Sequence, residues 1–491
     1  LFRSLTVFIL SAILFMNTVK VNGADGTSYE YDGYTYDWWW NAVEGPAAFQ
    51  LDRIIDESNM EGMEVQGIND VCTSQDGRIF LLDKLESRVQ VMDSNGVLIK
   101  SIKAIRNRDD KIVIDEATGN QLILNMPEGV FYEESSGELY IADTGAGRIL
   151  VLDGETYVLN RIITKPDNME GVTEFKPSKV AVDHAGRMYI VIQSSYEGIV
   201  ELNADGSFSR YFGVNSPQVN LIDYFWKSIS TDAQKEQMKK NFAPAFNNVE
   251  LDPEGFVYAV SYDEASKDMV FRLNSKGANV LREMGNTFVI GDLYGNNKKS
   301  SFVDIAVTAY GTYAVLDRTR GRVFIYDYDG QLLSAFGSMG KTKDSYQMPT
   351  GIAWLGDSLI VTDSTLRCAY ILKPTEFGKA ALGAAKNYYL GQWDDALRIN
   401  EEILRLNANY EMAYIGIGKS YLMQDEYKKA MYYFKLGNNR LFYSKAFNGY
   451  RGEVLKENFH WVLLLFLFFI GYIVISEVNY HRKESQRNGE R

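Results

Sequence analysis

The chain has 491 residues, a formal net charge of -13, and 41 Gly against only 9 Pro. That length exceeds one ordinary compact core, so several domains or one large repeat array is expected, with many tight turns. The acidic balance, without a basic helix or interleaved aromatic and basic residues, argues against nucleic acid as a partner.

Residues 1–24 place Arg3 before an apolar run over 5–16, followed by Gly23 and Ala24. This is the pattern of a secretory signal peptide, with an apolar run shorter than a membrane span. Residues 25–48 are rich in aromatics, with Tyr29, Tyr31, Tyr34, Tyr36 and the triplet Trp38, Trp39 and Trp40. Two readings stand for them: a contact patch for a sugar ring or a partner protein, or a cover over the neighbouring fold.

From residue 67 one unit recurs six times. Its opening segments are 67–71, 126–130, 176–180, 245–249, 301–305 and 348–352, each followed by a turn such as Asp76-Gly77, Ala185-Gly186 or Glu254-Gly255. These turns suit positive φ, and an apolar strand follows each: 79–82, 139–142, 188–192, 257–260, 313–316 and 359–362. A third strand, a second turn and a fourth strand complete the unit, the fourth strands being 97–102, 157–163, 207–212, 278–284 and 331–336. Four antiparallel strands per repeat describe the blades of a six-bladed β-propeller. The sixth unit lacks its fourth strand, but residues 49–55 (Phe-Gln-Leu-Asp-Arg-Ile-Ile) match residues 157–163 (Tyr-Val-Leu-Asn-Arg-Ile-Ile). The expected propeller is therefore 49–375, closed by strand 49–55 so that no sheet edge is left open. Between the third and fourth units, residues 214–244 carry Leu221, Ile222, Tyr224, Phe225 and Trp226. They read as a helical insertion, either a lid or partner surface or a packed elaboration of the blade edge.

From residue 376 the apolar period becomes helical, giving a helical segment over 376–456. Residues 459–478 are apolar over about the twenty residues a bilayer crossing needs. The tail 479–491 carries His481, Arg482, Lys483, Arg487 and Arg491, which predicts a cytoplasmic C-terminus and an extracytoplasmic bulk. Cys72 and Cys368 are too few for a disulfide framework, leaving either one bridge or two free thiols. The absence of any Asn-x-Ser/Thr acceptor favours a bacterial surface.

Several segments carry a resemblance. Leu81-Leu82-Asp83 with Arg88, Ile141-Ala142-Asp143 with Arg148, and Val315-Leu316-Asp317 with Arg322 resemble the NHL repeat across about 67–374. In that setting Asp83, Asp143, Asp317 and Asp363 read as turn formers, pairing where an Arg follows. Ala380, Ala384, Gly391, Trp393 and Ala396 are echoed 34 residues later by Tyr414, Gly418, Asp425, Tyr427 and Ala430. This is similar to the tetratricopeptide repeat, with Ala408 standing where that repeat ends in Pro. The whole resembles membrane-anchored propeller-plus-helical-repeat surface proteins of Gram-positive-type bacteria, some associated with carbohydrate uptake.

Aligning the six units puts Asn69, Glu128, Ser178, Asn247, Val303 and Thr350 at one place, with Asp70, Lys179, Asn248 and Asp304 next to it. These are the expected ligand-binding residues, ringing one mouth of the central channel. NHL lyases need several His ligands, yet the chain has 3 His and only His184 lies in the propeller. The expected function is a non-enzymatic scaffold without a cofactor, binding a protein in a membrane complex or a carbohydrate. The alternative is a Ca²⁺-dependent lactonase-like hydrolase, the resemblance to such propellers implying Glu128, Asn247 and Asp304 as metal ligands.

Overall fold

The computed structural model describes residues 33–37, 39, 41–115, 119–169, 172–193, 198–213, 246–261, 268–281, 291–292 and 300–489. Residues 1–24, expected as a signal peptide, Trp38, Trp40 and residues 214–244, expected as a helical insertion, lie outside these residues.

The chain enters through a short hairpin, β1 (Tyr34–Tyr36) and β2 (Ala42–Glu44), and continues into β3 (Phe49–Ile55). Six blades follow. Blade 1 is β4 (Ile68–Thr73), β5 (Ile79–Asp83), β6 (Arg88–Met92) and β7 (Leu98–Ile102). Blade 2 is β8 (Gly129–Glu133), β9 (Glu138–Asp143), β10 (Arg148–Asp153) and β11 (Leu159–Ile163). Blade 3 is β12 (Pro177–Val182), β13 (Met188–Ile192), β14 (Ile199–Leu202) and β15 (Phe208–Phe212). Blade 4 shows β16 (Phe246–Leu251), β17 (Val257–Ser261) and β18 (Val270–Leu273). Its fourth strand, expected over 278–284, is represented among the described residues by a single bridge, Leu273 to Asn279. Blade 5 is β19 (Phe302–Val307), β20 (Tyr313–Asp317), β21 (Arg322–Tyr326) and β22 (Leu332–Phe336). Blade 6 is β23 (Pro349–Leu355), β24 (Ser358–Asp363) and β25 (Cys368–Pro374), and β3 pairs antiparallel with β25 from Ala369↔Ile55 to Pro374↔Phe49. The N-terminal strand thus supplies the sixth blade's outer edge and closes the ring.

Strands alternate their side chains between the two faces of each blade, so every sheet buries apolar residues against both neighbours. Phe80 and Leu82 of blade 1 meet Val130, Leu139 and Ile141 of blade 2, whereas Ile79 and Leu81 meet Ile360 and Ile371 of blade 6. At Tyr34 and Tyr36 the aromatic N-terminal segment covers the propeller, and it does so on blade 5. Tyr34 pairs with Ala335, so the β1–β2 hairpin adds two strands to blade 5. Tyr34 is buried and its hydroxyl donates to Asp292 (2.7 Å), as does that of Tyr36. The Asp37 carboxylate accepts the backbone N–H groups of Trp39 and Asn41 (2.8 Å each), and Trp39 stands exposed at the hairpin tip.

Residues that end the second strands act as local clips. Asp83 accepts the N–H of Gln66 (2.9 Å), Asp143 that of Asn125 (2.6 Å), Asp317 that of Ser301 (2.9 Å) and Asp363 those of Gln347 and Met348 (2.6 and 2.9 Å). Asp143 also pairs with its following arginine, Arg148 (2.8 Å). Both cysteines are free.

Six helices follow the ring: α1 (Glu376–Tyr389), α2 (Trp393–Leu406), α3 (Glu411–Met423), α4 (Tyr427–Leu436), α5 (Arg440–Glu457) and α6 (Phe459–Gly489). The chain divides into two compact units, Leu1–Tyr389 and Leu390–Arg491, so α1 belongs to the propeller. Its Thr375 end is fixed to the closing strand's lead-in, the Thr375 hydroxyl donating to the Ala47 carbonyl (2.7 Å). Gly378 is required there, since a Cβ would meet the Ala48 carbonyl oxygen at 1.9 Å. In the second unit α3 packs on α2 and α4, and α4 on α5. Close approach is permitted by Gly418, where a Cβ would sit 2.7 Å from the Phe434 ring. Helix α6 has a segment, Phe459–Arg482, long and apolar enough to cross a membrane, with mean hydropathy 2.4 and none of it buried. The helix continues past residue 478, the end expected from apolarity.

Candidate functional site

The innermost strands β4, β8, β12, β16, β19 and β23 ring the axis. In five of them the register slips by one residue near the start, at Asn69, Ser178, Asn247, Val303 and Thr350. These bulged residues are the positions that sequence alignment places at the mouth. A bulge frees its residue from the ladder and redirects the side chain, and most of these side chains turn sideways to the next blade. Asn69 Nδ2 donates to the Glu128 carbonyl (3.2 Å), Asn247 Nδ2 to that of Phe302 (2.7 Å) and Thr350 Oγ1 to that of Ile68 (2.8 Å). Thr144 Oγ1 serves the blade 2 to blade 3 joint by donating to the Pro177 carbonyl (2.7 Å). Ser178 stays within its own blade, donating to the Val191 carbonyl (3.1 Å).

The next residue on each strand is Asp70, Gly129, Lys179, Asn248, Asp304 or Gly351. Two charged members of this tier, from blades 1 and 3, pair directly, and Asp304 of blade 5 acts on them through its charge. The Lys179 ammonium lies 2.5 Å from Asp70 Oδ1, reaching past blade 2, where Gly129 has no side chain. Asp70 Oδ2 accepts the Val130 N–H of blade 2 (2.9 Å), and Asp304 Oδ2 accepts the Ile352 N–H of blade 6 (2.6 Å). Asn248 Oδ1 bonds locally to the Val249 N–H (2.7 Å).

Two residues deeper on the same strand faces are Cys72 and Glu250, which the sequence reading did not single out. Burial pushes the Glu250 carboxyl up to about 8 against the Leu251 N–H, with Asp304 and Asp70 adding to the rise. Burial also raises Asp304 well above the usual carboxylate range, with Asp70 reinforcing it and Lys179 opposing it. Against the desolvation that pulls it down, Asp70 and Asp304 hold the Lys179 ammonium above its ordinary value. Burial, then Asp70 and Glu250, raise the Cys72 thiol. The lumen thus holds one buried ion pair, Lys179 with Asp70, beside the buried Asp304 carboxyl and the half-buried Glu250 carboxyl. The signal that would have found Glu250 is the period of two from Asn248, applied one step further along the strand.

At the lumen's entrance Glu128 pairs with Lys84 and accepts from Gln193 Nε2 (3.2 Å). Turns and connections of blades 1, 2, 5 and 6 at the strand-entry end expose Leu85, Met126, Met339 and Met348. Met126 sits at φ 48°, an uncommon conformation for a side-chain-bearing residue, held by its N–H donating to Ser87 Oγ (3.0 Å). The opposite face differs. There α1 runs beneath blade 5, with Lys386 Nζ 4.2 Å from the Tyr310 ring centre and the Tyr389 hydroxyl on Glu254. The Tyr389 and Tyr328 ring centres lie 5.3 Å apart, and Arg272 stacks on Tyr328 and Phe256.

Among the described residues no group of three His, Cys, Asp or Glu side chains is placed to hold a metal ion. Glu128, Asn247 and Asp304 do not converge: each is bonded to a different neighbour, as above.

The class defined by this geometry is a six-bladed β-propeller with a charged, enclosed lumen. No family model and no curated protein matches the chain. Among solved structures it is similar to a streptogramin B lyase at 12% identity and TM-score 0.39, covering 67% of this chain and 98% of that one. It is similar to virginiamycin B lyase from Staphylococcus aureus at 10% identity and TM-score 0.42, covering 66% and 99%. A third likeness is to hydrazine synthase from Kuenenia stuttgartiensis, at 11% identity and TM-score 0.40, covering 63% and 96%. At such values neither substrate nor chemistry transfers, and the fold rests on the strand pairing of the chain itself.

Proposed function

We propose that this chain is a membrane-anchored, extracytoplasmic binding protein whose propeller takes a protein or glycan at the Glu128 mouth. In this reading the blades are NHL-like, residues 376–456 form a short tetratricopeptide-like spacer, residues 1–24 are a signal peptide, and α6 holds the assembly at the membrane. The observation that carries it is the asymmetry of the two faces. One presents exposed Leu85, Met126, Met339 and Met348 at the strand-entry end, whereas turns on the other are covered by α1. Exposed apolar side chains around a concave polar centre are the usual make-up of a recognition surface. A role beside a carbohydrate-uptake system is the specific form of this proposal that the resemblance suggests.

The test is a membrane pulldown and a glycan array on the full chain, each repeated with Leu85→Asp/Met126→Asp. One defined ligand or partner, lost with the double variant and kept when exposed Ile162 of an outer strand becomes Asp, is expected. Equal recovery by all three proteins would overturn the assignment of the mouth.

A further inference from the structure

We propose that α5 lies in the headgroup layer of the bilayer that α6 crosses, its outward face binding anionic phospholipid; this rests on reading α6 as a span. One face of α5 is used within the helical unit. Phe442 stacks on Phe434 with ring centres 5.4 Å apart, Ala446 is fully buried, and Gly449 is pressed against the Tyr427 ring, where a Cβ would come within 2.3 Å. The other face carries Ser444, Phe447, Asn448, Arg451 and Leu455 at helical spacing, all exposed, and no helix of this unit covers it. Phe447 is 44% and Leu455 50% exposed, an unfavourable placement in water. Arg451 and Lys456 on or beside this stripe form no ion pair with a described residue.

The stripe does not end with α5. It continues at the same spacing through Phe459, Val462 and Phe466, all exposed apolar residues of α6. One continuous strip is most simply covered by one medium, and for α6 that medium is lipid. The joint permits a change of direction there. Asn458 leaves helical geometry at φ -103°, ψ 13°. Its Nδ2 donates to the Val454 carbonyl (2.8 Å) and its own carbonyl accepts the Trp461 N–H (3.0 Å), so a bend at the bilayer edge leaves these backbone groups satisfied. Apolar side chains flanked by long cationic ones are the composition of an interfacial helix, the cations reaching the headgroups while their stems lie on apolar surface. Trp461 just inside α6 suits the same interface.

The experiment uses the full chain with Cys72→Ser and Cys368→Ser, carrying Ser444→Cys labelled with an environment-sensitive fluorophore. It is reconstituted in nanodiscs of phosphatidylcholine with or without phosphatidylglycerol. With the anionic lipid, a blue-shifted emission and aqueous-quencher access lower by about fivefold or more are expected, the effect of roughly one surface cation. High salt and Arg451→Gln/Lys456→Gln should each reverse the change while the chain remains in the disc. Water-like emission and full quencher access in both lipids, with the chain retained, would overturn the proposal and leave the span intact. Protection in both lipids alike would assign the face to a protein contact instead. Failure of the chain to insert would overturn the span and this inference together.

Discussion

Asn69 and Asp70 are neighbours in sequence, as are Asn247 and Asn248 or Thr350 and Gly351, yet the two rows they belong to have different uses. Asn69, Asn247 and Thr350 sit on bulges and tie one blade to the next by donating to a neighbouring carbonyl. The row beginning at Asp70 turns inward and sets the electrostatics of the lumen through Asp70, Lys179 and Asp304. A single residue of register separates stitching alone from stitching combined with the lumen's charge, since Asp70 and Asp304 also accept the Val130 and Ile352 N–H groups of the next blade; side chains on a strand alternate and a bulge shifts the alternation.

The sharpest way to break this contrast is Asp70→Ala. It leaves the buried Lys179 ammonium without its partner, and removing one member of a buried pair costs roughly 3–5 kcal/mol. Urea unfolding followed by circular dichroism should show that loss, whereas Asn69→Ala, one residue away, should cost about 1 kcal/mol. Asp70→Ala/Lys179→Met should regain much of the deficit, and equal losses at 69 and 70 would contradict the division between the rows.

The second test is pH. Glu250 ordinarily titrates near 4.5 and is raised to about 8 in the folded lumen. Between those values the folded chain holds a proton that the unfolded chain has released, so the stability from this group is complete below about pH 4.5. It falls as pH rises through 8 and is flat beyond, with a steepest slope of about 1.4 kcal/mol per pH unit for one proton. Glu250→Gln should lessen the decline in urea midpoint between pH 5 and 8, leaving the part due to Asp304, whose carboxyl burial raises to about 7. An unchanged slope would place the titration elsewhere.

Much of this architecture was legible in the sequence. The turn glycines and apolar strands marked six repeats, and the match of residues 49–55 to 157–163 pointed to the strand that pairs with β25. Those signals are local and periodic. The bulges were not legible, because a bulge is a disagreement of register between two strands, and aligned repeats show only one strand at a time. Glu250 was missed for the same reason, since its neighbours Asp70, Lys179 and Asp304 lie between 54 and 180 residues away along the chain. That Tyr34 and Tyr36 cover the propeller was one of the two sequence readings, but their docking on blade 5 through the long-range contact with Asp292 was not legible in composition.

A smaller effect sharpens the mechanical row. Thr350→Val keeps the shape but removes the hydroxyl donating to the Ile68 carbonyl across the blade 6 to blade 1 joint (2.8 Å). A buried acceptor left unpaired costs about 1–2 kcal/mol, and the loss should appear as a lowered urea midpoint that does not vary between pH 5 and 8. A pH-dependent loss would mean that the stitching row and the lumen row are coupled.

The smallest expected effect is none at all, and it bears on the hydrolase alternative. Ca²⁺ requires six to eight oxygens at 2.3–2.6 Å from a flexible set of ligands. Of the residues that resemblance nominated, Glu128 is held by Lys84 at the entrance, Asn247 by the Phe302 carbonyl, and Asp304 by the N–H groups of Ile305 and Ile352 (2.9 and 2.6 Å). Gathering them around an ion would break a joint between blades 4 and 5 and another between blades 5 and 6, at roughly 1 kcal/mol or more for each bond. Thermal melts of the full chain in detergent, with millimolar Ca²⁺ and with EDTA, should therefore coincide. A ligand-linked rise in Tm that vanishes with Asp304→Asn would show that these joints yield to the metal, returning the hydrolase reading to first place.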